Sequence, residues 1–265
     1  MSHGFTGIVI DIRSIFSIRR HSSIVILMKP LAIFPFGQTA VLVLFISLTA
    51  CQTGGPLLDG GLPGSGCMRP APPINARNLM LVETTGTTFR ITKGENVGAT
   101  TQFSLKRQGD SWRAKLTGQN TVQMSVTAEG SIIANHEDDL ENTVRVHYAP
   151  PLLLMPARLA MGQPAEGQSD VKIINLLDGT VRTRGRCRYR IELAGRQIVS
   201  TPAGQFDAFV VKTRREMDLG IANASITWRS AYVPGKGRVA HHLVKQVRLL
   251  GLIPTESTRE IRLTR

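Results

Sequence analysis

From Leu79 to the C-terminus the chain is written largely in a period of two. Phe103 and Leu105 oppose Ser104 and Lys106, while Trp112, Ala114 and Leu116 oppose Arg113 and Lys115. Val122, Met124 and Val126 continue the scheme, and Val144, Val146 and Tyr148 oppose Arg145 and His147. Successive side chains of a strand point to opposite faces, so each run describes a strand with one apolar and one solvated face. Between the runs stand Gln108-Gly109-Asp110, Gly118-Gln119-Asn120 and Glu129-Gly130-Ser131, all turn sequences. The best short helix candidate, PPLLLMPARLAMG at 150–162, is compromised by its prolines. No repeat of fixed period appears. The pattern predicts an all-β domain over 79–265, built as an antiparallel sheet.

The last third is the most regular part. TVRTRGRCRYRIEL, 180–193, puts Arg182, Arg184, Arg186, Arg188 and Arg190 on one face of a strand and Val181, Cys187, Tyr189 and Ile191 on the other. Pro202-Ala203-Gly204 then predicts a hairpin turn, and Pro234-Gly235-Lys236-Gly237 a second one.

The stretches TPAGQFDAF and YVPGKGRVAHHL, with Trp228 between them, resemble the C-terminal half of several bacterial envelope lipoproteins. The resemblance covers about a quarter of the chain and rests on turn and core residues. It implies a curved sheet, a half-barrel or open barrel like those of the lipoprotein carriers and receptors of the Lol type. No catalytic residue carries over from it.

The N-terminal pattern is different. VLVLFISLTACQ, 41–52, is an apolar run closing on Leu48-Thr49-Ala50-Cys51, which has the form of a secretory signal peptide and resembles the lipobox of bacterial lipoproteins. The resemblance implies acylation of Cys51 and removal of residues 1–50. An uncleaved anchor fits less well, because Pro35, Gly37, Gln38 and Thr39 interrupt the segment. Met28-Lys29 makes a better-formed start than Met1, so 1–27 reads as an over-extended start or a long basic leader. Residues 51–78 are rich in Gly and Pro and read as a flexible tether. Gln52 after the cysteine, in place of aspartate, implies the outer membrane of a diderm cell, with the domain facing the periplasm.

Charge narrows the partners. The chain carries 32 basic and 19 acidic side chains, a net charge of +13. Without residues 1–50 there remain 28 against 18, a net charge of +10. Export makes nucleic acid an unsuitable partner and leaves the membrane, anionic lipid, lipopolysaccharide or an envelope protein. Lipidation of Cys51 leaves Cys67 and Cys187, an even pair in a compartment that permits disulfides, so a Cys67–Cys187 bridge is expected.

Candidate chemistry is thin. His136-Glu137-Asp138-Asp139-Leu140-Glu141 lacks the spacing and central glycine of a calcium loop and reads as a solvated loop. His241 and His242 would lie on opposite faces of a strand and could not chelate one ion together. No catalytic motif, cofactor fingerprint or metal-ligand spacing stands out. Neighbouring arginines of the ladder lie about 6.7 Å apart, where repulsion in water is about 0.6 kcal/mol per pair. A domain tolerates that without a ligand. Two readings of the ladder stay open: a solvated face with cross-strand acids, or an anion-binding face. The function expected is a non-enzymatic, membrane-anchored lipoprotein binding a partner, lipid or anionic glycan through its basic face. The alternative is a periplasmic hydrolase, which would need His136, His147, His241 or His242 within reach of a carboxylate or hydroxyl in a cleft.

Overall fold

The computed structural model describes Leu62 and residues 65–220, 222–249 and 253–264. The signal peptide, Cys51 and the first part of the tether lie outside the described residues. In chain order the elements are β1 (Ile74–Asn75), α1 (Ala76–Met80), β2 (Thr84–Lys93), β3 (Thr100–Gln108), β4 (Ser111–Leu116), β5 (Asn120–Val126), β6 (Ile132–Asp139) and β7 (Val144–Met155). They continue with β8 (Arg158–Leu159), β9 (Ala165–Asn175), β10 (Val181–Thr201), β11 (Gly204–Asp218), β12 (Ala222–Val233), β13 (Gly237–Leu249) and β14 (Ile253–Leu263).

The fold is all-β, as the alternation predicts. Apart from β1 and β8, which pair with each other, every strand is antiparallel to the next, and β14 returns to pair with β2 through Leu263↔Phe89 and Ile261↔Ile91. The expected half-barrel or open barrel is therefore a closed barrel of twelve strands. Closure gives the backbone groups of β2 and β14 partners that two sheet edges would have left bare. The stretch 150–162 is strand β7 and its exit, not a helix. Both expected hairpins form: Gly204 opens β11 at φ 122°, and Gly235 turns the chain between β12 and β13 at φ 72°.

An up-and-down barrel has two ends, and here they differ. At one end lie the β3–β4, β5–β6, β10–β11 and β12–β13 turns, together with α1. The side chain of Asn75 caps this single helical turn by accepting from Arg77 N at 2.9 Å. Ala76 N donates to Ala157 O at 3.1 Å, and Asn78 O accepts from Gly235 N at 3.2 Å, so the helix is pinned to two sides of the barrel. Leu79 is fully buried among Leu105, Met124, Met155 and Tyr232. Burying a leucine is worth about 2 kcal/mol, so α1 is a firm plug. The opposite end carries, among the described residues, only turns.

The chain enters at the plug end. Leu62 N donates to Gln197 Oε1 at 2.9 Å, Gly66 N to Ile198 O at 3.0 Å, and Arg69 and Arg196 exchange both backbone bonds. Residues 66–78, read as the end of the tether, thus belong to the fold. The strand slips register at Gly195, whose φ of 146° and lack of a Cβ let Arg69 O approach.

The Cys67–Cys187 bridge is a correction. Cys187 is a free, fully buried thiol, packed inside the barrel with Tyr148, Leu152 and Val171. Cys67 is therefore not bridged to it. The distance forbids the pair. Gly66 is held at Ile198, eleven residues along β10 from Cys187, or about 37 Å of strand, against under about 7 Å between bridged Cα atoms.

Candidate functional site: the barrel lumen

Inside the barrel lies a cavity of about 350 Å³ reaching from Met80 at the plug to Asn120 and Asp139 near the far end. That is the size range of small-ligand sites. One wall is apolar: Phe103, Leu105, Val122, Met124, Leu154 and Met155. The cavity's basic side chains come from β13 and β14, which contribute Arg238, His241, Lys245 and Arg259 beside Leu243 and Ile261. Alternation puts these side chains inward and sends His242, Glu260 and Arg262 outward, so His241 and His242 do face opposite ways as expected.

A second charged group spans β6 and β11. Arg215 Nη1 donates to Glu137 at 2.9 Å, and its guanidinium lies 4.6 Å from the ring centre of Trp228. Burial opposes its charge, but Glu137, Tyr148 and Cys187 outweigh it and raise its pKa. Burial and then Glu137 push the Tyr148 phenol well up. Asp139 accepts from Asn142 N at 3.0 Å and Nδ2 at 2.7 Å. Of the acidic stretch expected as a solvated loop, His136–Asp139 is instead the end of β6, with Glu137 and Asp139 lining the cavity, while Leu140 and Glu141 lie in the exposed turn that follows. Period two over His136–Asp139 was the signal for this, and the density of charge obscured it.

The alternative reading asked whether a histidine meets a hydroxyl or carboxylate in a cleft. One does. His241 Nδ1 and Ser230 Oγ are 2.8 Å apart, and both residues line the cavity. Burial, then Arg238, His242 and Arg259, push His241 well below its ordinary value, so it is neutral at pH 7. No carboxylate is among the groups that set its titration. A neutral imidazole with no acid to stabilise its cation is a poor general base. His136 and His147 face each other across β6 and β7, with ring centres 5.5 Å apart. Burial and Arg145 lower both of their pKa values.

The arginine ladder is arranged as its pattern predicts from Arg184 to Arg190, but Val181, expected on the buried face, is exposed where the register shifts between Val181 and Thr183. Arg184, Arg186, Arg188 and Arg190 are exposed, while Arg182 is half-buried and donates to Asn142 O at 3.3 Å. Cross-strand acids stand beside them, as in the first of the two readings. Arg186 pairs with Asp170 at 3.7 Å, and Arg190 with Glu166 and, at 3.3 Å, with Glu192. Arg188 stands opposite Glu216, and Arg186 opposite Asp218. Glu166 and Asp170 come from β9, the strand on the other side of β10 from β11.

The rim of the unplugged end is apolar. Val97, Leu140, Leu176, Leu177 and Val181 are exposed, Leu177 to 81% and Val97 to 63%. All five lie in or beside the β2–β3, β6–β7 and β9–β10 turns at that end.

These features define a plugged, closed antiparallel barrel with an amphipathic lumen. No protein-family model matches the chain, and no curated protein matches it in sequence. Two solved structures are similar to it. One is a Parabacteroides distasonis chain described as a lipoprotein, at 12% identity and TM-score 0.33, over 71% of this chain and 98% of that one. The other is a Bacteroides fragilis chain described as exported, with a YmcC-like fold, at 11% identity and TM-score 0.32, over 69% of this chain and 95% of that one.

Proposed function

We propose that this chain is an exported, lipid-anchored binding protein of the bacterial envelope that takes a lipid-like molecule into its barrel lumen. The observation that carries the reading is the cavity of about 350 Å³, which combines an apolar lining from β3, β5 and β7 with basic side chains from β13 and β14. Leu48-Thr49-Ala50-Cys51 supports acylation at Cys51, and Gln52 after it, in place of aspartate, supports residence at the outer membrane, facing the periplasm. The arginine ladder, with acids on either side, serves at most to orient the domain at anionic headgroups. Binding belongs to the lumen.

Two measurements test this. Solvent extraction of protein purified from its own membranes should yield a stoichiometric amphiphile, lost in a Val122→Trp variant that fills the cavity. An empty lumen, or equal occupancy in the variant, overturns the reading. Intact mass of the extracted protein should show Cys51 as an acylated N-terminus. An unmodified Cys51, or one bridged to Cys67, sinks the anchor.

The Ser230–His241 contact favours a second reading, hydrolysis of an ester held in the lumen. Turnover of a chromogenic ester that is abolished in Ser230→Ala would support it. No turnover would leave a binding protein.

A further inference from the structure

We infer that the lumen ligand carries an anionic group, a phosphate or carboxylate, held against Arg238 and Arg259 on β13 and β14. This deepens the lumen-binding reading and rests on it. In register, Arg238 stands opposite Tyr232 and Arg259 opposite Leu243, on either side of the step where His241 pairs with Ser230 and Ile261. Both guanidiniums line the cavity, and both Nε atoms are shielded from water with no hydrogen-bond partner among the described residues. Arg238 makes its close contacts with rings, 5.2 Å from the centre of Phe103 and 5.9 Å from that of Tyr232. Neither arginine forms an ion pair among the described residues.

The lumen's own acids are already engaged. Glu137 holds Arg215 and Asp139 holds Asn142. Both arginines are half-buried, where charge without a close counter-charge is costly, and a guanidinium stays protonated rather than yield its proton; Glu141 and Glu95 act on Arg259 without forming an ion pair with it among the described residues. An entering anion supplies what the two arginines lack, and the planar fork of arginine suits two oxygens of a phosphate or carboxylate. The apolar lining that begins at Phe103 beside Arg238 and runs to Met155 accepts the apolar remainder. The ligand class is thus an acidic amphiphile, with its head on β13–β14 and its tail against β3–β7.

The test uses protein lacking residues 1–51, since residues 56–265 form a compact unit of their own. Four probes are titrated: lysophosphatidic acid, a long-chain fatty acid, a neutral monoacylglycerol and inorganic phosphate. Arg238→Gln and Arg259→Gln are made separately, so that one misfolded variant does not remove the test, and Arg259→Lys accompanies them. The inference expects an acidic amphiphile to bind about ten- to hundredfold more weakly to each glutamine variant, the loss of a charged hydrogen bond. Arg259→Lys recovers part of it, and the monoacylglycerol is unaffected. Whether the phosphate or the carboxylate probe wins identifies the headgroup, and binding of inorganic phosphate alone would reduce the site to a free-anion pocket. Equal binding of acidic and neutral amphiphiles to wild type and variants overturns the inference while leaving lumen binding intact. Failure of all three amphiphiles overturns lumen binding itself.

Discussion

Cys187 shows how position along a strand decides the chemistry of a single residue. Burial pushes its thiol up to about 11, far from the thiolate needed for exchange or alkylation. Iodoacetamide should leave Cys187 unlabelled in the native protein and label it fully in denaturant, read by peptide mass. Labelling in the native state would mean the barrel opens around β10. Asp138 illustrates the outward face. Its hydrogen bond from Arg145 lowers its carboxyl pKa, with burial opposing, and the guanidinium meets it through Nε at 2.6 Å and Nη2 at 2.9 Å. A carboxylate lowered by folding adds stability that is present above its unfolded pKa, about 3.9, and lost as pH falls through the folded value. Asp138→Asn should therefore cost about 1 kcal/mol at pH 7, screened as the pair is. The gap between variant and wild-type melting temperatures should close as pH drops from 5 to below 3. A gap independent of pH would assign the loss to packing instead.

At the scale of elements, strands and hairpins were legible because a half-buried strand must alternate and a tight turn needs glycine or proline. Val122 and Met124, or Pro234-Gly235, announce their places unaided. Pairing between strands distant in sequence was not legible. The acids that neutralise Arg186 and Arg190 come from β9, and nothing in 180–193 points back to Glu166 or Asp170. Nor does any local signal mark Arg238 and Arg259 as neighbours of one cavity, since only closure of β14 onto β2 encloses it. The bulge at Gly195 was likewise invisible, being fixed by the segment around Arg69 that crosses it. Gly195→Ala would place a Cβ 2.5 Å from Arg69 O in a conformation L residues avoid. It should destabilise the fold by about 1–3 kcal/mol and raise amide exchange at Gly66 and Arg69 first. Unchanged exchange there would show that the crossing does not depend on this glycine.

For the whole molecule, the contrast between its ends matters most. A plug of α1 closes one, and exposed Val97, Leu140 and Leu177 rim the other. An amphiphile entering past that rim need not cross water if the tips touch a lipid surface. Changing Leu140 and Leu177 together to aspartate should slow transfer of a fluorescent lipid from vesicles into the barrel severalfold. Affinity for the same lipid dispersed in detergent should not change. Equal loss of both would mean that the rim shapes the site rather than its entrance.

The chain joins the barrel at its closed end, where Leu62 meets Gln197. A lipid-bearing Cys51, eleven residues earlier, could lie no more than about 40 Å from that point. A lipid there would hold the barrel by its closed end and leave the end ringed by Val97, Leu140 and Leu177 as the untethered one. Cargo passing that rim would then exchange more readily with a surface met by the free end than with the bilayer that holds the tether. Acylated protein in one vesicle population should accordingly draw lipid faster from a second population than from its own.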